Sequence, residues 1–101
     1  MQAGLEAIVE PHRREILRLV WSAELPAGEI ASHFDVSRPA VSKHLRVLRE
    51  AGLIAERRNG TQRLYRARRD AILELRNLME DFWGEGLRQI KAAAESGAKD
   101  R

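Results

Sequence analysis

Residues 37–54 have the sequence SRPAVSKHLRVLREAGLI, which predicts a helix with a defined residue at each end. Ser37 is a natural N-cap, since its hydroxyl can accept a hydrogen bond from an amide of the first turn. Pro39 has no amide proton and suits that first turn, while Gly52 can close the helix in the left-handed conformation. Between these ends, apolar residues recur at helical spacing and form a narrow inner stripe: Val41, Leu45 and Leu48.

The opposite side of this predicted helix is basic. Its residues are Arg38, Ser42, Lys43, Arg46 and Arg49, with His44 on the flank. The first carboxylate along the helix is Glu50, whereas an ordinary solvated helix face mixes both signs of charge. One-sided positive charge is favoured by the phosphate backbone of DNA, so this face predicts a recognition helix over residues 38–50.

The first turns of a recognition helix enter the major groove most deeply. We therefore expect base-edge contacts from Ser37, Arg38, Ala40, Ser42, Lys43 and His44. Arg38 or Lys43 could bind guanine, the serines several bases, and Ala40 a thymine methyl group. Arg46 and Arg49 lie further along the helix, and we expect them to contact phosphates.

The residues upstream predict three more helices. Residues 27–34 form a short helix, opened by Leu25-Pro26, and a tight turn follows at 35–36. With the basic helix they make a helix-turn-helix over residues 27–51. A longer helix over residues 11–22 precedes it, with Pro11 in its first turn. The third helix lies upstream of Pro11 and contains a short apolar patch of Leu5, Ile8 and Val9.

A β-hairpin is predicted over residues 53–67, because Asn59-Gly60 separates two strand-like runs. With these two residues as the loop, the facing pairs are Arg58 with Thr61, Glu56 with Arg63, and Ile54 with Tyr65, a favourable register. The hairpin would project as a wing toward an adjacent minor groove. Its arginines near the tip are expected to contact DNA: Arg57, Arg58 and Arg63.

A long final helix is predicted over residues 70–95, with Asp70 as its cap. Its apolar residues cover more than one stripe, so we expect it to pack on its own domain and on something else. Gly84 and Gly86 are unusual inside a helix, each costing about 1 kcal/mol relative to alanine. Close helix approach and a kink are both open explanations. The tail, residues 96–101, is expected to fray.

The composition fits one intracellular globular domain over residues 1–101. The 101 residues leave no room for a second core, and the net charge of +3 is too small to identify a partner by itself. The chain has no cysteine, which excludes disulfides and thiolate metal sites. Neither a membrane-length apolar run nor an export signal is visible, so we expect a cytoplasmic protein.

Residues 37–54 closely resemble the recognition helix of the ArsR/SmtB family. The continuation from Arg57-Arg58-Asn59-Gly60 to Leu64-Tyr65 is similar to the wing of that family, and residues 11–17 are similar to its early helix. The resemblance covers about residues 5–92 and is specific over 37–65. It implies a winged helix-turn-helix of order α-α-α-turn-α-β-β-α, and a homodimer joined through its first and last helices. Such a dimer represses transcription at an inverted-repeat operator.

The residues support a dimer independently of the resemblance. Two half-sites lie one DNA turn apart, about 34 Å, which is farther than one such domain conveniently reaches. A self-complementary apolar patch is expected from both ends of the chain: Leu5, Ile8, Val9, Leu78, Phe82 and Trp83. The alternative is that all of these side chains belong to the core of one protomer.

The sequence departs from the metal-sensing members that it resembles. In those proteins Cys-x-Cys follows Glu-Leu, whereas here Glu24-Leu25 precedes Pro-Ala-Gly, and the last helix has no histidine. The three histidines lie on three different predicted helices without an i, i+4 partner: His12, His33 and His44. We therefore predict no regulatory metal and no cofactor. An unidentified small molecule or protein remains open as the effector.

Two other functional classes compete with the DNA-binding prediction. A winged helix that binds only proteins would have acidic or apolar residues on the outer face of residues 38–49, and the cations there count against it. An enzyme would need a nucleophile–base pair, but Ser42 and His44 are two residues apart and do not share a helix face. We predict no enzymatic activity. Repressor rather than activator rests on the resemblance.

Overall fold

The computed structural model describes residues 2–99, which form five helices and a small antiparallel sheet. The helices are α1 (Gln2–Val9), α2 (Pro11–Leu19), α3 (Ala27–Ala31), α4 (Arg38–Glu50) and α5 (Arg69–Lys99), and the strands are β1 (Leu25–Pro26), β2 (Ile54–Asn59) and β3 (Gln62–Ala67). The mainly helical fold with a β-hairpin is confirmed. Among residues 2–99, no helix is both long and apolar enough to cross a membrane.

Both predicted ends of α4 are confirmed. The Ser37 hydroxyl accepts a hydrogen bond from the amide of Ala40 at 3.2 Å. At the other end Gly52 adopts φ +77°, its amide donates to the Arg49 carbonyl at 3.0 Å, and the Leu53 amide donates to the Leu48 carbonyl at 3.0 Å. These two bonds form a Schellman motif, which satisfies carbonyl groups that the helix leaves unpaired.

Replacing Gly52 with alanine should destabilise the fold by about 1–2 kcal/mol, because a Cβ atom is disfavoured at positive φ. Steric overlap adds little, since the nearest atom to such a Cβ is Arg68 Nη1 at 3.8 Å. Urea unfolding at fixed protein concentration measures the change. Gly86→Ala is the control: Gly86 lies inside α5 with nothing within 4 Å, so its replacement should stabilise the protein by up to about 1 kcal/mol. Equal effects of the two substitutions would contradict this account.

The sheet contains a strand that the sequence analysis missed. Leu25 pairs with Tyr65 and Pro26 with Leu64, which gives the strand order β1-β3-β2. Pro26 fits this place because an edge strand tolerates a residue without an amide donor. Accordingly, Leu25-Pro26 forms strand structure, and α3 begins after it.

Two helices are shorter than predicted. Helix α3 ends at Ala31 rather than near residue 34, where tighter i to i+3 bonds follow, such as Phe34 amide to Ala31 carbonyl at 3.1 Å. Helix α2 ends at Leu19 rather than near residue 22. The Val20 carbonyl there accepts a hydrogen bond from the amide of the β3 residue Ala67 at 2.9 Å instead of one from a further helical turn, and this bond connects the end of α2 to β3.

The predicted hairpin register is wrong by two residues. The loop is Gly60-Thr61, so Asn59 faces Gln62 and Glu56 faces Tyr65. A turn built on Asn59-Gly60 would need positive φ at both residues, but Gly60 alone takes it, at +66°. A loop whose first residue is glycine needs positive φ only there. Since the shift is even, every side chain keeps its predicted face of the sheet.

The core joins all five helices to the hairpin. Its largest fully buried side chains are Ile16, Val20, Ile30, Val41, Leu45, Leu48 and Ile54. Helix α5 reaches this core through Leu75, whose Cδ2 would lie 3.3 Å from a Cβ added at Gly4 of α1. The large apolar residues of α5 beyond Met79 are exposed: Phe82, Trp83, Leu87 and Ile90. This part of the helix therefore has no buried face over residues 80–96.

The bounds of α5 differ from the prediction. The helix begins at Arg69, so Asp70 lies in its first turn and is not the cap. A carboxylate in that turn complements the helix dipole, which explains why Asp70 marks the start of the helix. The helix also continues to Lys99, beyond the predicted end at residue 95, whereas fraying of the tail stays a prediction. Residues 100–101 lie outside the described range.

Candidate nucleic-acid interface

The outer face of α4 and the hairpin line one groove of about 540 Å³. Helix α4 contributes Ser42, Lys43, Arg46 and Arg49, and the hairpin contributes Glu56, Arg63 and Tyr65. The buried stripe of α4 turns these side chains outward, because residues opposite a packed helix face must point to solvent. The structure therefore brings together residues that the sequence analysis assigned to the helix and to the wing.

Several predicted DNA-binding cations are exposed and have no carboxylate partner within residues 2–99. They are Arg38, Lys43, Arg46 and Arg58, all exposed. Within residues 2–99, none of them has a carboxylate oxygen within 4.0 Å. Neutralising phosphates with such side chains releases counterions from DNA, which is the main source of sequence-independent affinity.

Two further cations of the groove are already paired. Arg49 donates to Glu56 at 2.8 Å, and Arg63 Nε lies 3.6 Å from the other oxygen of the same carboxylate. The Glu56 side chain is only 17% exposed. Burial, with a further contribution from the Glu56 carboxylate, raises the pKa of the neighbouring Tyr65. Glu56 thus connects the recognition helix to the wing and neutralises part of the groove.

Replacing Glu56 with glutamine should strengthen binding to DNA of any sequence, because it removes a negative charge and frees Arg49 and Arg63 for phosphate contacts. Each added phosphate contact steepens the slope of log K against log salt by about 0.9, so two contacts add up to about 1.8. Fluorescence anisotropy on scrambled DNA measures this slope. Glu85→Gln is the control, since Glu85 pairs with Arg88 on α5 at 2.7 Å. An unchanged slope in the Glu56 variant would contradict the prediction.

Arg57, unlike these cations, is paired with a carboxylate. It donates two hydrogen bonds to Glu24, at 2.7 and 2.6 Å, and these bonds lower the pKa of the Glu24 carboxyl. The bidentate pair connects β2 to the segment before β1. A phosphate contact by Arg57 would require this pair to open.

Three of the predicted base-edge residues have other roles in the structure. The Ser37 hydroxyl caps α4, and Ala40 is half-buried. His44 is only 16% exposed and faces α2, where Arg13 Nη1 lies 3.3 Å from its Nδ1 atom. His44 is therefore not among the residues that line the groove.

Sequence reasoning missed the partners of these side chains. Nothing in the sequence pointed to Glu24 or Arg13 as a partner of these side chains, and Glu24 is 33 residues from Arg57 along the chain. The Glu56–Arg63 pair was predicted and forms, although the two residues are diagonal neighbours in the observed register. Opposite charges on adjacent strands were thus a usable signal, whereas contacts between distant segments were not.

The predicted dimer residues lie mostly outside the core. Leu5, Val9, Leu78, Phe82 and Trp83 are exposed, with Phe82 at 72% and Val9 at 73%. The alternative that they all belong to the core of one protomer is therefore wrong. Ile8 is half-buried and lines a second groove, of about 520 Å³, with Trp83. The other apolar residues of this groove lie along α5: Ile72, Leu75, Met79 and Leu87.

Comparison with known proteins places this geometry in a family. Residues 10–56 match the model of the arsR family of bacterial regulatory proteins. The chain is 36% identical over 86 residues to the transcriptional repressor SdpR of Bacillus subtilis, covering 85% of this chain and 96% of SdpR. It is 35% identical over 95 residues to the HTH-type transcriptional regulator Rv2034 of Mycobacterium tuberculosis, covering 94% and 89%.

The fold agrees with the sequence matches. A crystal structure of a possible transcriptional regulator for arsenical resistance superposes with a TM-score of 0.74 at 44% identity, covering 79% of this chain and 83% of the other. The matched sequence begins with the N-cap of α2, includes the whole of α4 and ends in β2. From the helix-turn-helix, its wing and these matches together, the chain belongs to the ArsR family of bacterial regulatory proteins.

Proposed function

We propose that this regulator is a sequence-specific repressor that binds an inverted-repeat operator as a homodimer. The observation that carries the proposal is the set of unpaired cations on the outer face of α4 and at the hairpin tip. Arg38, Lys43 and Arg46 present positive charge from one side of a single helix, and Arg58 adds it from the wing. The name of the relative SdpR, a transcriptional repressor, supports repression over activation.

Helix α4 enters the major groove in this proposal, with its first turns against the base edges. Lys43 and Ser42 line the groove between α4 and the hairpin, and we propose that they contact the bases. Arg46 lies one turn further along α4 and is proposed to contact phosphate. The Ser37 cap and the Gly52 Schellman motif stabilise both ends of the helix, so binding to DNA costs little conformational entropy in α4. Arg58 lies beside the hairpin tip, where it can reach the adjacent minor groove.

The dimer forms through the apolar groove along α5, with α1 at its edge. Its lining is mainly apolar, with Arg76 and Glu80 as charged members, and two of the exposed α5 residues beyond Met79 belong to it, Trp83 and Leu87. Exposed apolar patches of this kind mark interaction surfaces, and a second copy provides an identical, self-complementary partner. Two recognition helices in one symmetric dimer can then reach half-sites about 34 Å apart.

A module that binds only proteins is the weaker alternative. Such a module gives no reason for four exposed cations that lack carboxylate partners within residues 2–99. An enzymatic role is not proposed, because the relatives named above are regulators of transcription.

The test is a titration of the wild-type protein against the DNA upstream of its own gene and against a scrambled duplex. We expect tighter binding to the upstream DNA and a steep negative slope of log K against log salt for both duplexes. Equal affinity for the two duplexes at every salt concentration would refute sequence-specific binding. Absence of any salt dependence would refute the phosphate contacts and favour the protein-binding alternative.

A further inference from the structure

A cluster of possible metal ligands lies between the start of α2 and the middle of α4. Glu10 Oε1 is 2.7 Å from His12 Nδ1, and Glu10 Oε2 is 4.0 Å from His44 Nδ1. The imidazole rings of the two histidines are nearly parallel, at 11°, with centroids 5.6 Å apart. One ligand atom from each of the three residues falls within 4.8 Å of the others.

Two of the three histidines lie close together, although they are far apart in the sequence. His12 and His44 are 32 positions apart and lie on different helices, but the packing of α2 against α4 brings their side chains together. Only His33 remains apart among the three. The expectation that no metal binds rested on the missing family ligands and on the lack of an i, i+4 partner for each histidine, and it did not consider ligands from two helices of one chain.

We propose that Glu10, His12 and His44 bind a divalent transition-metal ion of the zinc class. Two imidazole nitrogens and one carboxylate oxygen are a ligand set that Zn²⁺ accepts, and three protein ligands leave one tetrahedral position for water. None of the three residues lines the DNA-binding groove, and the proposal does not depend on the proposed repressor function.

The backbone holds the three ligands in place before an ion arrives. Glu10 is the N-cap residue of α2, where its Oε2 accepts a bond from the Arg13 amide at 3.0 Å. His12 lies in the first turn of that helix, and His44 lies within α4 next to the buried Leu45. The His12 side chain is 42% exposed, so a hydrated ion can approach from its side of the cluster.

Arg13 is the group that opposes binding. Its Nη1 lies 3.3 Å from His44 Nδ1, so a cation has to displace this contact. Its Nε donates to the Ala7 carbonyl at 2.6 Å, and that bond can persist when only Nη1 moves.

The experiment titrates Zn²⁺ alone, and then Co²⁺ alone, into the full chain in competition with a chromophoric chelator. His12→Ala and His44→Gln remove one ligand each, and His33→Ala is the matched control because His33 lies outside the cluster. Circular dichroism and the melting temperature without metal establish that each variant folds. Absorption bands of bound Co²⁺ report its coordination number.

We expect one equivalent to bind to the wild type and to His33→Ala, and binding weaker by at least about tenfold in both ligand variants. Because the three ligands converge only in the folded chain, Zn²⁺ should also raise the melting temperature of the wild type and not of His12→Ala. Absence of saturable binding to the wild type would overturn the proposal. So would equal binding by the folded His12 or His44 variant, which would place the ion elsewhere.

Discussion

Replacing Trp83 with glutamate should prevent the proposed homodimer from forming and weaken operator binding by about 100-fold or more. Trp83 lines the apolar groove along α5 and is 57% exposed in the single chain. A carboxylate buried in an apolar interface costs several kcal/mol unless it is paired, and Arg76, a cation that lines this groove, already lies 3.8 Å from Glu80. The isolated protomer pays no such cost because position 83 is exposed, so the substitution separates assembly from folding.

The loss of DNA affinity follows from the loss of the second recognition helix. In a dimer, binding of one α4 places the other beside the adjacent half-site, and the second binding event becomes intramolecular. Avidity of this kind exceeds single-site affinity by about 10² to 10⁴ without any new contact. A monomer retains the contacts of one half-site only.

Sedimentation equilibrium measures the association state, and fluorescence anisotropy measures operator affinity. Asn77→Glu is the control, since it adds the same charge at an exposed position of α5 that does not line the groove. We expect this control to remain dimeric and to bind the operator like the wild type. A Trp83→Glu protein that stays dimeric would show that the groove is not the interface.

The parts of the fold that could be predicted depend on local signals. Helix α4 was predicted to within a residue at both ends because Ser37, Pro39 and Gly52 act through their own backbone geometry. Strand β1 was missed because its two residues are strand only through pairing with Tyr65 and Leu64, 40 and 38 positions away. The hairpin register depended on which single residue takes positive φ, which the pair Asn59-Gly60 does not determine.

In the candidate interface, too, the local features could be predicted and the contacts between distant segments could not. One-sided charge on α4 is a property of residues three and four apart, so it was visible in the sequence. The pairing of Arg57 with Glu24 and the meeting of His12 with His44 join segments more than 30 positions apart. Tertiary contacts therefore decided which predicted residues are free to bind DNA and which are engaged elsewhere.

Lys43→Ala and Arg46→Ala should weaken DNA binding in different ways. Lys43, nearer the start of α4, is proposed to contact a base edge, so its loss should cost about 1–3 kcal/mol on the operator and relax sequence preference at one position. Arg46 is proposed to contact phosphate, so its loss should weaken binding to all sequences and reduce the salt slope by about 0.9. Both side chains are exposed and unpaired within residues 2–99, so neither change should affect stability.

Titrations on operator and scrambled DNA at several salt concentrations separate the two effects. Arg88→Ala is the control, because Arg88 is an exposed cation of α5 paired with Glu85 and distant in sequence from the recognition helix. It should leave affinity, preference and slope unchanged. If Lys43→Ala weakens binding to both duplexes equally, Lys43 contacts phosphate rather than a base. Operator specificity would then have to come from Arg38 and Ser42, the remaining exposed polar side chains in the first turns of α4.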